Sequence, residues 1–344
     1  MTNIKKIKEF SSQVIALDGI EIANPIVLNE ISFVPIIKQR IPREERSYLT
    51  LSEALEENSC EIIEKGTEVA HIIFKNMGDL PILIEEGEIF HGQGTQDRIC
   101  ISTIMVEPDT QIEIPVKCVH APHYLSAGAG FAYGGKASRK MLNELRNLKF
   151  KHAAQYIPTF SIDQGHVWET VAQENAMEDL PTETQYMKSV EKRKERAKKR
   201  SKNLSFPKNT IGVVVINQEG EIKGVEIHRS PHNFNIRKDG ILESLEANID
   251  WDEKGKGPYQ NSGKITQELF KKLSQLKEGK DVLNQVEVNG AVINMEGLTG
   301  EVFTSPFYSD TCPSCGKSKP RKKMCPNCQF EEEDSDEFAY MSLM

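Results

Sequence analysis

The residues best placed to do chemistry are four cysteines near the end of the chain. Cys312, Cys315, Cys325 and Cys328 stand in C-x2-C-x9-C-x2-C spacing within CPSCGKSKPRKKMCPNC. Two intervening residues let a tight turn aim both sulfurs of a pair at one ion. Pro313 and Pro326 preset each turn, and Gly316 permits a positive φ after the first. Four thiolates suit tetrahedral zinc. So short a module buries no core, so the metal would supply its folding energy. Two disulfides, or an iron site, are the competing readings; zinc is the expected cofactor. Five of the nine residues between the knuckles are basic (Lys317, Lys319, Arg321, Lys322, Lys323). They could contact phosphates, or simply answer the negative charge of a metal tetrathiolate.

A second constellation lies in HGQGTQDR, His91 to Arg98, between two apolar runs. Gly92 and Gly94 allow a sharp turn or a close approach of backbone to a ligand. Gln96, Asp97 and Arg98 place an amide, a carboxylate and a guanidinium in one short loop, and a guanidinium grips phosphate or carboxylate through its fork. Further on, Cys118 and His120 are two apart and would share a face of a strand, with His123 and Tyr124 just beyond. The plainer reading is a glycine-rich hairpin with an Arg–Asp surface pair and three ordinary histidines at 91, 120 and 123. No His or carboxylate spacing there demands a metal. A third feature is Lys188 to Lys202, with nine basic and two acidic residues. It reads as a phosphate-binding helix or as a solvated helix with internal ion pairs.

The rest of the chain must position these groups. Its 344 residues suit one large domain with an appendage, or two domains. A net charge of −8 means that nucleic-acid affinity would need a local basic patch. No apolar run reaches the length of a membrane span, and no secretion signal is evident. Seven cysteines, an odd number, favour a reducing cytoplasm over a disulfide scaffold. Residues 1–24 read as a partly ordered lead-in. Residues 25–305 read as an α+β body, a β-rich core with a helical segment at about 138–205. Within it, Pro35 suggests an edge or a strand end, and Thr50 and Glu53 have capping-box spacing for a short helix at Leu51 to Asn58. RICISTIMV and QIEIPVKCV should form a hairpin about Glu107-Pro108-Asp109, and a Gly-rich stretch to Gly135 ends that unit. Residues 308–330 make the zinc ribbon. Residues 331–344 make an acidic tail whose apolar end, Phe338 to Met344, reads as a docking peptide for a protein partner.

The stretch GEIFHGQGTQDRICISTIMVEPDTQIEIPVKCVHAPHY resembles the core of the ADP-ribosylglycohydrolase- and rhodanese-phosphatase-superfamily-associated protein family. That family carries a Gly-Gly-Lys-Gln-Asn/Asp-Arg motif, then a Cys-Val-Glu element followed by Arg-Trp. Gly94, Gln96, Asp97, Arg98, Cys118 and Val119 match. QGHVWETV and the Ser-Pro loop after GVVVINQEGEIKGVEIH are similar to further family motifs, so the resemblance covers roughly Pro25 to Ile249. Thr95 stands where the family usually has Lys, His120 where it has Glu, and His123 and Tyr124 where it has Arg and Trp. The resemblance implies a cytoplasmic protein that binds or processes a phosphate-bearing, nucleotide-like ligand, linked to ADP-ribose or NAD metabolism. In that reading Arg98 clamps an anion, Gly92, Gly94, Gln96, Asp97 and Cys118 line the site, and His120 is the acid or base. The rivals are a nucleic-acid-associated zinc-ribbon protein, acting through Lys188 to Lys202 and the ribbon, and a non-catalytic scaffold.

Overall fold

Ile4, Ile7, Phe10 and Val14 recur at spacings of three and four, which lines them along one face of a helix. In the computed structural model, α1 (Thr2–Ala16) buries all four against the main sheet. The expected lead-in is therefore part of the body, because an amphipathic face needs a core to cover it. The structure describes residues 2–40, 47–66, 68–121, 124–246, 249, 251, 259–285, 290–333 and 336–344.

Strands β1 (Ile20–Ile22), β2 (Ile26–Leu28) and β3 (Ile31–Lys38) come next. Asn29 and Glu30 both have positive φ, as a two-residue hairpin turn requires. β4 (Leu49–Thr50) runs straight into α2 (Leu51–Glu56), which starts with the expected capping box. The Glu53 amide donates to Thr50 Oγ1 at 3.3 Å, and the Thr50 amide to Glu53 Oε2 at 2.9 Å. The strands β5 (Cys60–Glu64), β6 (His71–Asn76), β7 (Ile82–Ile84), β8 (Glu88–Gly92), β9 (Arg98–Cys100), β10 (Ile104–Val106), β11 (Thr110–Cys118) and β12 (Phe131–Lys136) follow. The helical segment is α3 (Arg139–Ala154), α4 (Gln164–Met177) and α5 (Tyr186–Ser201). The hairpin β13 (Thr210–Ile216) and β14 (Ile222–His228) then leads through Ser230 into α6 (Pro231–Leu245). α7 (Ser262–Ser274), β15 (Val282–Asn284), β16 (Gly290–Met295) and β17 (Leu298–Pro306) precede the cysteine cluster, and β18 (Asp336–Leu343) follows it.

Three sheets result. The nine-stranded sheet runs β1-β3-β13-β14-β18-β17-β16-β15, with β2 on β3; a six-stranded sheet runs β12-β8-β9-β11-β6-β5; a small one runs β10-β7-β4. Three expectations are corrected here. Pro35 lies inside β3, opposite Val213. Its carbonyl accepts from Ala23, just past the end of β1, so its missing N–H falls where no strand remains to accept it. RICISTIMV does not stay in one strand: β9 pairs with β11, whereas β10 crosses to β7. The break falls where the amide and hydroxyl of Thr103 turn to Glu301, both at 3.0 Å. The Gly-rich stretch expected to end the unit supplies β12, which pairs with β8.

The largest correction concerns the tail. Phe338 to Met344 is no free docking peptide. β18 is hydrogen-bonded between β14 and β17, at the middle of the main sheet. Ala339, Tyr340, Met341 and Leu343 are fully buried. The apolar residues do have a core to enter, one assembled from strands more than a hundred residues upstream and from β17.

Ion pairs, not only apolar contacts, join the layers. Glu85, Glu86, Glu88, Glu226 and Glu301 are all buried, and so are Lys136, Arg139, Arg146, Lys149 and Arg237. Glu86 accepts from Arg146 Nε at 2.6 Å and contacts Lys149. Lys149 also lies 3.5 Å from Glu301 on β17, and Arg146 Nη2 donates to Ser342 on β18 at 2.9 Å. Arg237 from α6 and Lys136 from β12 hold Glu85, at 2.9 and 2.6 Å. Burial alone would raise the Glu86 carboxyl, but Arg146 and Lys149 overcome it and hold it at about 2. His228, buried in the same layer, is pushed down by desolvation to about 4, against the pull of Glu85.

Two outcomes are expected. Met341→Ala should destabilise the body by about 2–5 kcal/mol, the cost of emptying a core site, measured by denaturant unfolding; an unchanged midpoint would mean that β18 is dispensable. His228 binds its proton less readily folded than unfolded, so its contribution is complete above pH ~6.5 and is lost as pH falls towards 4. That contribution is about 3 kcal/mol. The pH dependence of unfolding over this window should flatten in His228→Phe.

Candidate functional site

Strand alternation sorts the residues of HGQGTQDR. β8 and β9 pair with Phe90 opposite Arg98, so Phe90, Arg98 and Cys100 share one face, and Ile89, His91, Asp97 and Ile99 take the other. The first face lines the interior of the six-stranded sheet. Arg98 is 0% exposed there, with Nη2 donating to Glu64 Oε2 at 2.8 Å. Thr95 also donates to Glu64 Oε2, at 3.0 Å. Burial draws the Arg98 guanidinium below its usual range, and Glu64 pulls it back. The anion clamp expected of Arg98 is therefore an internal ion pair. Its partner sits 34 residues upstream.

The glycines serve the loop itself. A Cβ on Gly92 would lie 2.2 Å from the Thr95 carbonyl oxygen, and Gly94 takes φ +86° in open space. One packs the loop tightly against its own backbone; the other turns it. Gln96 is buried.

The second face gathers the polar and titratable groups. The Asp97 carboxylate, 1% exposed, accepts from the Gly92 amide at 3.0 Å and from Gln185 Nε2 at 3.0 Å. His91 Nδ1 lies 2.7 Å from its Oδ1, and His120 Nδ1 3.6 Å from its Oδ2. The two imidazoles are 37% and 20% exposed. A carboxylate only accepts, so it fixes the His91 proton on Nδ1 and leaves Nε2 as the basic nitrogen. Cys118 and His120 do not share a face as expected. β11 ends at Cys118, and His120 turns away to bridge Gln185. Cys118 pairs across to Arg98, and its thiol donates to the His120 carbonyl at 3.3 Å. Burial raises the thiol, so it enters the wall in its neutral form. Gln164, the first residue of α4, clamps the Cys118 backbone, donating to its carbonyl at 2.8 Å and accepting from its amide at 3.0 Å. His123 lies outside the described residues. Tyr124 is exposed.

Nothing in the sequence ties Glu64 to Arg98 or Gln185 to Asp97, since each partner lies tens of residues away. Gln164 opens QGHVWETV, and its position at the head of a helix was the available signal.

The four ribbon cysteines converge, with all ligand atoms within 4.8 Å of one another. Cys312 and Cys328 sulfurs are 3.6 Å apart and those of Cys315 and Cys325 are 3.9 Å apart. Tetrahedral M–S bonds of about 2.3 Å require sulfurs ~3.8 Å apart, so the set fits one metal ion. The two knuckles match in form. Gly316 (φ +69°) donates to the Cys312 carbonyl, and Gln329 (φ +60°) to that of Cys325. The ribbon docks on the body, with the Arg321 amide donating to the Asp79 carbonyl at 3.1 Å and Lys322 paired with Asp109 at 3.2 Å.

The arginines of both basic segments are ion-paired, and so are some of the lysines. Lys319 pairs with Glu332 at 2.6 Å, and Arg321 with Asp310 at 3.4 Å. On α5, Arg193 is buried against Glu174, while Arg196 and Arg200 share Glu246. Lys188 pairs with Glu191 at 3.8 Å. α5 packs through Val190, Arg193 and Ala197, so it is a structural helix with one basic edge rather than a free cationic rod.

Arg98→Met should cost about 3–5 kcal/mol, because it strands the Glu64 carboxylate in the interior. Arg98→Lys keeps the charge but loses the fork and should cost less. Urea unfolding reads both; wild-type stability in Arg98→Met would put Arg98 back at the surface.

No curated protein and no solved structure matches the chain. One family model does, over residues 19–298: that of the ARG and Rhodanese-Phosphatase-superfamily-associated Protein domain. The matched span runs from the turn before β1 to the first residue of β17 and takes in both sides of the Asp97 face, so the chain belongs to the ARG and rhodanese-phosphatase-superfamily-associated protein family, with a four-cysteine ribbon added beyond the family domain.

Proposed function

We propose that this protein binds and processes a phosphate-bearing, nucleotide-like ligand of the ADP-ribose type on the face centred on Asp97. The observation that carries the reading is one buried carboxylate holding two part-exposed imidazoles, His91 and His120. A carboxylate behind an imidazole fixes its tautomer and ring orientation, the arrangement a general acid or base needs. The family's association with ARG proteins supports the ligand class. Since Arg98 is turned inward, contact with the phosphate falls to the imidazoles, which are cationic donors when protonated. His120 is the acid or base, His91 its partner on the same carboxylate, and Gln185 and Gln164 hold the frame. The four cysteines hold one structural zinc, as their softness and tetrahedral spacing favour. No helix among the described residues is long and apolar enough to cross a membrane.

ADP-ribose, NAD and simple nucleotides should be screened by thermal shift, and ADP-ribosyl hydrolysis assayed directly. His120→Ala should lower turnover by about a hundredfold or more while the protein stays folded and binds. Asp97→Asn should cut turnover similarly by releasing both rings. Absence of any ligand-induced shift together with absence of turnover in wild type rejects the reading. For the ribbon, elemental analysis should find one zinc per chain. Because β18 follows the ribbon in the chain, chelation should also lower the melting temperature of the body. A body that melts unchanged after metal removal would show the ribbon to be energetically independent.

A further inference from the structure

A second site lies on the buried charged layer, away from the Asp97 face. A cavity of about 100 Å³ is lined by Glu85, Lys136, Tyr133, Glu226, His228 and Arg237, and opens between α2 and α6 past Ile236, Asp239 and Gly240. None of these residues is a partner of Asp97. Its floor is buried and its mouth exposed: Glu85, Lys136, Glu226 and His228 are each at most 5% exposed, while Ile236 is 37% exposed.

The distinguishing feature is His228. Its ring is 1% exposed, and neither nitrogen has a hydrogen-bond partner among the described residues. The nearest charged oxygen, Glu85 Oε1, is 3.8 Å from Nδ1, beyond hydrogen-bond range. A buried imidazole with two unsatisfied nitrogens is costly unless something pairs with it. In its neutral form it offers one donor and one acceptor, on either side of Cε1 and pointing in divergent directions, so each nitrogen can meet a different hydroxyl.

The remaining wall has the same mixed character. Lys136 and Arg237 donate, Glu85 accepts, and the Tyr133 hydroxyl, which accepts from Arg237 at 3.4 Å, keeps its own proton to give. An anion entering the cavity would meet Glu85 and Glu226 on its floor and Asp239 and Glu243 at its rim. A cation would meet Lys136 and Arg237. The chemistry that fits is neutral and dense in groups that both donate and accept, and vicinal hydroxyls are that chemistry. We propose that this cavity binds the vicinal diol of a neutral polyol or ribosyl group, with His228 and Glu85 reading the hydroxyls and Lys136 donating to them.

The diol could belong to a free sugar or to the ribose of a nucleoside. Full-length protein should be titrated with ribose, myo-inositol and adenosine, with inorganic phosphate and spermidine as the anionic and cationic comparisons. Binding is read by calorimetry and by the ¹⁵N shifts of the His228 ring. At least one diol should bind saturably and move the His228 signals, and phosphate and spermidine should not. Adenosine alone binding would assign the site to a nucleoside ribose; ribose or inositol binding would assign it to a free polyol. Gly240→Leu should plug the mouth without disturbing the fold, since a Cβ there meets only Lys136 Cβ, at an ordinary 3.8 Å. It should weaken diol binding at least tenfold. No saturable diol binding, equal binding by Gly240→Leu, or tighter binding of phosphate or spermidine would each overturn the proposal.

Discussion

The contact of Glu86 with Arg146 and Lys149 is the constraint on which the rest of the molecule rests. Glu86 belongs to the turn between β7 and β8; the two cations come from α3. The same cations reach Glu301 on β17 and Ser342 on β18. One helix thus fastens the small sheets to the large one through charges with almost no access to water. Such a layer is costly to desolvate, and it is tolerated only where every partner arrives in register. It therefore selects one arrangement of the layers over others that would bury as much apolar surface.

The Asp97 face is a consequence of that arrangement. α4, which begins with Gln164, and α5, which Gln185 caps, lie against α3 and against the outer side of β9 and β11. Once α3 is fixed by its ion pairs, Gln185 arrives at Asp97 and Gln164 at the Cys118 backbone. The carboxylate that orients His91 and His120 is thus itself oriented from 88 residues away. On the opposite side of the same strand, Arg98 spends its charge on Glu64. Two adjacent residues of one loop have unrelated roles because a strand sends neighbours to opposite faces.

What could be read in the sequence was local. The capping box at Thr50 and Glu53 and the spacing of the four cysteines both depend on residues a few positions apart. The amphipathic period of Ile4, Ile7, Phe10 and Val14 was equally local and equally readable. What was not legible involved distant partners. Nothing in HGQGTQDR says that Glu64 waits for Arg98, and nothing in Lys188 to Lys202 says that Glu174 and Glu246 will claim its arginines. A charge-rich segment looks like a surface in the sequence, whereas here the arginines of α5 are interior or half-buried joints. Phe338 to Met344 hides its place for the same reason: its neighbours β14 and β17 are separated from each other by about seventy residues and from it by the ribbon.

The position of β18 has a kinetic side. β14 is synthesised roughly a hundred residues before the strand that covers it, so β14 and β17 both offer open edges until β18 arrives. Such edges invite pairing with other chains, and contacts so distant in sequence form slowly. The ribbon lies directly between β17 and β18, and its cysteines are close enough in sequence to gather a metal early. A metal taken up at that moment shortens the free chain linking the two strands and reduces the entropy cost of bringing them together. Metal supply would then govern the rate and yield with which the sheet closes, so that scarcity of the ion would appear first as aggregation of newly made chains.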